Sequence, residues 1–240
     1  MDADEYRRMA AAGESHWWYR ATRELLGQLL GPHLTGATRV LDAGGGTGAT
    51  GGWMTARTPV VLADYDQFAL EVAAADFPGY LPARADLNRL PFAAASFDAV
   101  LCVTALCHRM NPDPAAIVAD FARLTRPGGV VAIQEPGGQR LWRGHDEVTH
   151  TARRFSVDEL AAICAAAGLE VLTATGAYSF LVPPAWLLGK LERGASKSDV
   201  GRNSSGAFGL LPALARAERA WLRRRTLPWG LSAIVIARKP

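Results

Sequence analysis

The sequence is poor in cysteine and in aromatic residues, and neither sign of charge prevails. Its 240 residues include three cysteines, an aromatic share of 8% and a formal net charge of +3. Cys102, Cys107 and Cys164 form no CxxC pair. That excludes a disulfide framework and a cysteine-based zinc site. Cys102 sits in an apolar run and Cys164 in an alanine-rich one, so both read as small buried hydrophobes. No window approaches the roughly eighteen unbroken apolar residues that a membrane-crossing helix requires. The opening stretch, MDADEYRRMA, has no apolar centre of a secretory signal, and a cytoplasmic location is expected. No internal repeat is visible.

What is present is an ordinary globular mixture, 49% hydrophobic and 20% charged, in a length suited to one α/β domain with an elaboration. Five arginines cluster late, at Arg216, Arg219, Arg223, Arg224 and Arg225. They read as a solvated helix face, or as a surface for an anionic substrate or for peripheral membrane contact.

Apolar residues recur at helical spacing through residues 3–30, and Gly31-Pro32 ends that segment. Short apolar runs then alternate with helical stretches. Strands are expected at 39–42, 60–64, 81–85, 97–103, 130–135 and 169–175. Helices are expected near 47–57, 67–76, 114–125 and 156–167. Such alternation predicts a mostly parallel sheet with helices on both faces. Asp113 before Pro114 is a helix start, and Ser156 with Glu159 forms a capping box. Residues 181–229 differ in character. They hold Pro183-Pro184, a Gly/Ser-rich patch from Gly194 to Gly206, and an amphipathic stretch from Leu210 to Arg225. The apolar run 231–237 is expected as a last strand, antiparallel to 169–175.

The densest chemical signal is VLDAGGGTGATGG, residues 40–52. Glycines directly after a strand let the backbone approach a ligand closely and adopt positive φ. The spacing admits two ligands. Gly46-x-Gly48-x-x-Gly51 fits a dinucleotide loop, with Asp64 downstream for a ribose. Asp42-x-Gly44-x-Gly46-x-Gly48 fits a second pattern.

In that second pattern the sequence resembles the class I S-adenosylmethionine-dependent methyltransferases. Their first motif is an acidic residue followed by alternating glycines; Gly45 stands where cysteine or another small residue is common. VVLADYDQFAL (60–70) is similar to their second motif. ARADLNRLPFAAASFDAVLC (83–102) and LTRPGGVVAIQEP (124–136) match later segments in the right order. HWWYRATRELL (16–26), Arg153-Arg154-Phe155-Ser156 and the terminal LPWGLSAIVIARKP (227–240) look like a bacterial subgroup of that family.

The resemblance implies a Rossmann-like sheet of seven strands with the last one antiparallel. It implies a single domain over 1–240: an N-terminal helical lid (1–36), a cofactor-binding core (37–180), a helical insertion (181–229) and the last strand (230–240). S-adenosylmethionine would be held by Asp42, Gly44, Gly45, Gly46, Gly48, Asp64, Tyr65, Asp86, Leu87 and Thr104. Asp64 would accept from the ribose hydroxyls, Tyr65 would pack on the adenine, and Asp86-Leu87 would meet the adenine edge. Trp17, Trp18 and Tyr19 are either helix packing or the aromatic face of a lid. With Glu135 and Tyr178 they are the candidate acceptor contacts. Tyr178, Phe180, Leu181, Trp186 and Leu187 suggest an apolar or amphipathic acceptor, unless they merely cover the sheet edge.

If a general base is used, His145 is the first candidate, then His150, then His108, each with a purely structural alternative. Glu135 with His145, Asp146, Glu147 and His150 lacks metal-ligand spacing, and no metal is expected. Nucleic-acid methylation is not expected either. Residues 104–107 (TALC) replace the Pro-Pro-aromatic motif of amino-methylating enzymes, and Leu106, not proline, precedes Cys107. The reading is a methyltransferase of a small-molecule acceptor at O, N or C, in natural-product or lipid-linked metabolism, acting as monomer or homodimer. The alternatives are a non-catalytic S-adenosylmethionine-binding protein and an NAD(P)-dependent reductase.

Overall fold

The computed structural model describes residues 16–191 and 210–240, together with Arg7 and Ala10. The Gly/Ser-rich patch, and most of residues 3–15 of the expected N-terminal helices, lie outside the described residues. Seven strands form one sheet: β1 (Val40–Ala43), β2 (Val60–Asp64), β3 (Tyr80–Arg84), β4 (Phe97–Val103), β5 (Thr125–Pro136), β6 (Glu170–Ala177) and β7 (Ser232–Arg238). The order is β3-β2-β1-β4-β5-β7-β6. Pairings from β3 through β5 are parallel. β7 runs antiparallel between β5 and β6, as the sequence pattern requires.

Among the described residues from 16 onward, the α-helices are α1 (Trp17–Leu29), α2 (Gln67–Asp76), α3 (Pro114–Leu124), α4 (Gly144–Val148), α5 (Val157–Ala166), α6 (Val182–Leu191) and α7 (Leu210–Trp221). Their starts are encoded locally. Asp66 and Asp113 accept the backbone N–H of Ala69 and Ala116, each at 3.0 Å. Ser156 and Glu159 close the capping box ahead of α5, so orphan N–H groups of the first turn are satisfied.

Two features depart from the sequence expectation. No α-helix spans 47–57. The chain there makes turns and one short 3-10 helix, Gly52–Met54. Glycine disfavours helix, and the Phe77 ring lies 2.4 Å from where a Cβ on Gly52 would stand. Nor do Gly128 and Gly129 precede β5. They lie inside it, where the register slips between the Phe97–Thr125 and Ala99–Val130 pairs. Gly128 has φ +79° and donates its N–H to the carbonyl of Lys239, just past β7, while the Gly129 carbonyl accepts the Lys239 N–H.

Alternation along the strands divides the core into two layers. Leu41, Val100, Cys102, Val131, Ile133 and Val235 pack with α3 and α5 on one face. Val40, Leu101, Val103, Ala132, Ile234 and Tyr178 pack with α1 and α2 on the other. Cys102, Cys107 and Cys164 are buried, and burial raises their thiol pKa values. The opening of β4 also acts as an anchor. Asp98 accepts the backbone N–H groups of Thr38 at 2.6 Å and Arg39 at 2.9 Å, and pairs with Arg126 at 2.7 Å. The entry into β1 is therefore tied to β4.

Candidate active site

The carboxyl ends of β1, β2 and β3 stand side by side, and the glycine turn leaves the first of them. Gly44 donates to the Ala63 carbonyl at 2.7 Å, joining the turn to β2. Gly44, Gly46 and Gly48 have φ of +69°, +56° and +78°, a region only glycine enters freely. Space imposes a second constraint. A Cβ on Gly44 would lie 2.6 Å from the Ala105 Cβ, and one on Gly48 would lie 2.6 Å from the Tyr80 ring.

Asp42 explains two more glycines. Its carboxylate carbon lies 2.8 Å from the Cβ position of both Gly45 and Gly51, and Oδ2 approaches the latter to 2.1 Å. The carboxylate thus fills the volume under the turn. It is fully buried, and Oδ2 accepts from the Tyr80 hydroxyl at 2.6 Å. Burial raises its pKa to about 7, against the lowering effect of the Tyr80 hydrogen bond. A buried carboxyl pays for desolvation of its charged form.

Asp64 ends β2 and holds the turn from the other side. Oδ2 accepts from Gly46 N–H at 2.9 Å and Oδ1 from Asp66 N–H at 3.0 Å. Burial raises its pKa. Each oxygen retains a second lone pair for a ligand hydroxyl. Tyr65, the next residue, is exposed; the Arg84 guanidinium lies 5.6 Å from its ring centroid. Asp86 accepts from the backbone and side-chain nitrogens of Asn88 at 2.9 and 2.7 Å. Leu87 is buried against Gly44. The turn, two strand-end carboxylates and an exposed aromatic therefore share one rim. A bare backbone cradle beside acidic acceptors suits a ligand with an amino-acid end and a ribose.

The loop after β4 forms the adjoining wall. Thr104 has φ +52°, a costly conformation for a β-branched residue. Its N–H donates to the Gln134 carbonyl at 2.7 Å. Glu135 is fully buried and does not face open space. Its carboxylate accepts the N–H groups of Ala105, Leu106 and Cys107 at 3.0, 2.9 and 3.1 Å. Burial raises its pKa to about 7, opposed by those same hydrogen bonds. Its place in the structure is under the loop, because the period-two alternation of β5 turns it toward Ile133's face.

The three histidines gather on one side of this wall. His108 is partly buried, and burial lowers its pKa. Its Nδ1 has no hydrogen-bond partner among the described residues. His108 pairs as an isolated bridge with Thr151, and Arg109 N–H donates to the His150 carbonyl at 3.0 Å. His150 has φ +54°, and His145 lies in α4. Beneath this segment is a buried pair absent from the sequence reading. Arg154 donates to Asp146 through Nε at 3.0 Å and Nη2 at 2.9 Å, and through Nη1 to the Gly137 carbonyl at 3.1 Å.

Over the other face, α1 meets the end of β6. The Tyr178 hydroxyl and Thr22 Oγ1 share a hydrogen bond at 2.9 Å. The Trp17 and Tyr178 rings meet edge to face at 6.1 Å. Tyr178 has φ +56° and is buried, as is Tyr19, while Trp18 is partly buried. Glu218 of α7 accepts from the N–H groups of Tyr178 and Ser179 and from the Ser179 hydroxyl. Trp186 and Leu187 are exposed. Sequence reasoning missed Tyr80, Gln134, Arg154 and Glu218. Strand alternation was a usable signal for Gln134 alone.

Comparison with known proteins agrees with this geometry. Residues 40–129 match the family model described as a methyltransferase domain. A demethylmenaquinone methyltransferase of Mycolicibacterium vanbaalenii is 35% identical over 131 residues, covering 51% of this chain and 50% of the relative. The chain thus spans about half the length of that relative. The fold is shared with the [4+2]-cyclase SpnF (TM-score 0.60, 19% identity, covering 92% of this chain and 81% of that one). It is also shared with phosphoethanolamine N-methyltransferase 2 of Haemonchus contortus, solved with S-adenosyl-L-methionine (TM-score 0.54, 19% identity, covering 85% and 49%).

Proposed function

From the match of residues 40–129 to a methyltransferase domain, we propose that the chain is a class I S-adenosylmethionine-dependent methyltransferase and that it methylates an apolar or amphipathic small molecule. The observation that carries this reading is the shared rim of Gly44–Gly48, Asp64 and Asp86 at the ends of three neighbouring strands. When bound, the cofactor supplies an electrophilic sulfonium methyl and a neutral thioether leaving group. Asp42, Gly44, Gly45, Gly46 and Gly48 shape the cradle for its amino-acid end. Asp64 accepts from the ribose, Tyr65, Asp86 and Leu87 border the adenine, and Thr104 borders the methionine side.

The protein's own task is alignment and exclusion of water. Orientation alone is worth effective molarities on the order of 10⁵–10⁸ M. Trp17 and Trp18 supply aromatic walls for the acceptor, with the buried Tyr178 and Tyr19 packed against them, and Glu135 holds the Ala105–Cys107 backbone in place. A hydroxyl or amine acceptor requires a proton sink. His108 serves that role best, since burial keeps it neutral and its Nδ1 is unpaired among the described residues. His145 and His150 stand on the segment beside it and complete the candidate set. General-base assistance contributes on the order of 10²–10⁴-fold.

The acceptor class rests on two supports. The walls are aromatic, and the relative from Mycolicibacterium vanbaalenii is named a demethylmenaquinone methyltransferase. Peripheral membrane contact through the exposed Trp186, Leu187, Trp221 and Trp229 accords with such an acceptor. No helix among the described residues is long and apolar enough to cross a membrane. The working form is a monomer or homodimer acting in the cytoplasm.

Calorimetry tests the cofactor reading. S-adenosylhomocysteine is expected to bind at micromolar concentration and to lose that affinity in Asp64→Ala. Tight NADPH binding in its place overturns the proposal in favour of a reductase. Incubation with S-adenosylmethionine and a short-chain demethylmenaquinone separates an enzyme from a protein that only binds cofactor. Methylated quinone is the expected product.

A further inference from the structure

Gln134 is fully buried near the carboxyl end of β5, yet neither its amide nitrogen nor its amide oxygen has a partner among the described residues. Buried side-chain amides are nearly always hydrogen-bonded, and each exception calls for an explanation. Gln134 is doubly exceptional, since a donor and an acceptor are unused together. Its place in the sheet says where the amide is. It pairs with Val103 of β4 and with Ile234 of β7, and it alternates with Glu135. Its face is therefore that of Val103, Ala132, Ile234 and Tyr178, the face under α1 and the Trp17–Tyr178 contact.

Two strained residues flank it. Thr104 and Tyr178, following β4 and β6, both have positive φ, and the Thr104 N–H is held by the Gln134 carbonyl itself. Such strain gathers where a ligand is clamped. The cofactor rim occupies the ends of β1 to β3, and Gln134 lies near the end of β5, on the far side of β4 from that rim.

We propose that the Gln134 amide is the polar anchor of the acceptor subsite, recognising a hydroxyl or carbonyl on an otherwise apolar ring. This rests on the methyltransferase reading above and deepens it. Nitrogen would donate to the acceptor oxygen, and the amide oxygen would accept from its hydroxyl hydrogen. A site built to pair a substrate hydroxyl rejects the analogue that lacks it, because the protein's own polar atoms are then left unpaired.

The test uses the full chain with S-adenosylhomocysteine present and two probes, 2-naphthol and 2-methylnaphthalene, with binding followed by fluorescence. Wild type is expected to prefer 2-naphthol by about tenfold, the value of one buried hydrogen bond. Gln134→Met, close in shape and without polar atoms, is expected to erase that preference and to leave S-adenosylhomocysteine affinity unchanged. It is also expected to raise the melting temperature by about 2–4 °C, because an unpaired amide no longer has to be buried. A structural Gln134 would give the opposite thermal shift.

The proposal fails if wild type shows no preference, including if it binds neither probe. It also fails if Gln134→Met keeps the preference or melts lower than wild type. The wild-type comparison stands even if the variant does not fold. Loss of S-adenosylhomocysteine binding by wild type would strike the methyltransferase reading instead.

Discussion

The Tyr80 hydroxyl donates to the Asp42 carboxylate at 2.6 Å beneath the glycine turn, joining residues that are two strands apart. The same hydroxyl lies 3.3 Å from the Gly48 carbonyl, so one side chain supports both the acid and the backbone it underlies. Tyr80→Phe removes that donor and keeps the ring. Asp42 then keeps no hydrogen-bond donor, since Oδ1 already lacks a partner among the described residues. A loss of about 1–3 kcal/mol of stability is expected, with weaker binding of S-adenosylhomocysteine. Urea denaturation and calorimetry measure the two effects. A variant that matches wild type in both shows that the turn holds itself.

The pH dependence of stability follows from the same carboxyl. Asp42 has a folded pKa raised from 3.8 to about 7, chiefly by burial. Between those values the folded state binds a proton that the unfolded state has released. Its contribution is full below pH ~4 and is lost as pH rises through about 7. Asp42→Asn is neutral throughout and carries no such loss. Compared at pH 5 and pH 8, wild type is expected to lose more stability than the variant, by an amount on the order of 2–4 kcal/mol at about 1.4 kcal/mol per pKa unit. Glu135 titrates in the same window and remains in both proteins, so it cancels in the difference. Parallel curves for the two proteins would mean that Asp42 does not titrate there.

What the sequence made legible was whatever is encoded over a few residues. β2 and β4 were readable to the residue because their apolar runs, Val60–Ala63 and Ala99–Val103, stop at Asp64 and at the turn after Val103. The Asp113 and Ser156 helix starts were readable because their partners lie three residues on. The helix expected over 47–57 failed for a tertiary reason: the Phe77 ring and the Asp42 carboxylate occupy the space of missing Cβ atoms, and the chain turns tightly around them. Glu135 and Gln134 show the other limit. Both are polar residues closing an apolar run, and composition favours the charged one as a ligand group. Only the face each adopts, and the three N–H groups waiting beside Glu135, reverse that preference.

Glycine substitutions separate the structural from the incidental positions. A Cβ on Gly51 would lie 2.1 Å from Asp42 Oδ2, whereas one on Gly27 in α1 meets nothing within 4 Å. Gly27→Ala is expected to stabilise the fold by about 0.5–1 kcal/mol, the difference in helix propensity. Gly51→Ala displaces a buried carboxylate and is expected to cost about 1–3 kcal/mol by overpacking. It should also weaken S-adenosylhomocysteine binding. Thermal denaturation with and without S-adenosylhomocysteine checks both. Equal effects at the two positions would deny Asp42 its place under the turn.

Asp146 and Arg154 form a buried ion pair, their side chains 3% and 6% exposed. The pair spans the segment that carries His145 and His150, and Arg154 also grips the Gly137 carbonyl just past β5. Arg154→Met leaves the Asp146 charge buried and is expected to cost about 3–5 kcal/mol. The double variant Arg154→Met with Asp146→Leu removes both charges and is expected to recover much of that cost, since an apolar replacement of similar volume is often neutral. The pair does not touch the glycine turn. S-adenosylhomocysteine affinity should therefore stay within about twofold of wild type in the double variant, while methyl transfer to the acceptor falls because the histidine segment loses its internal tie. A double variant with wild-type turnover would show that the pair stabilises the fold and has no part in positioning the site.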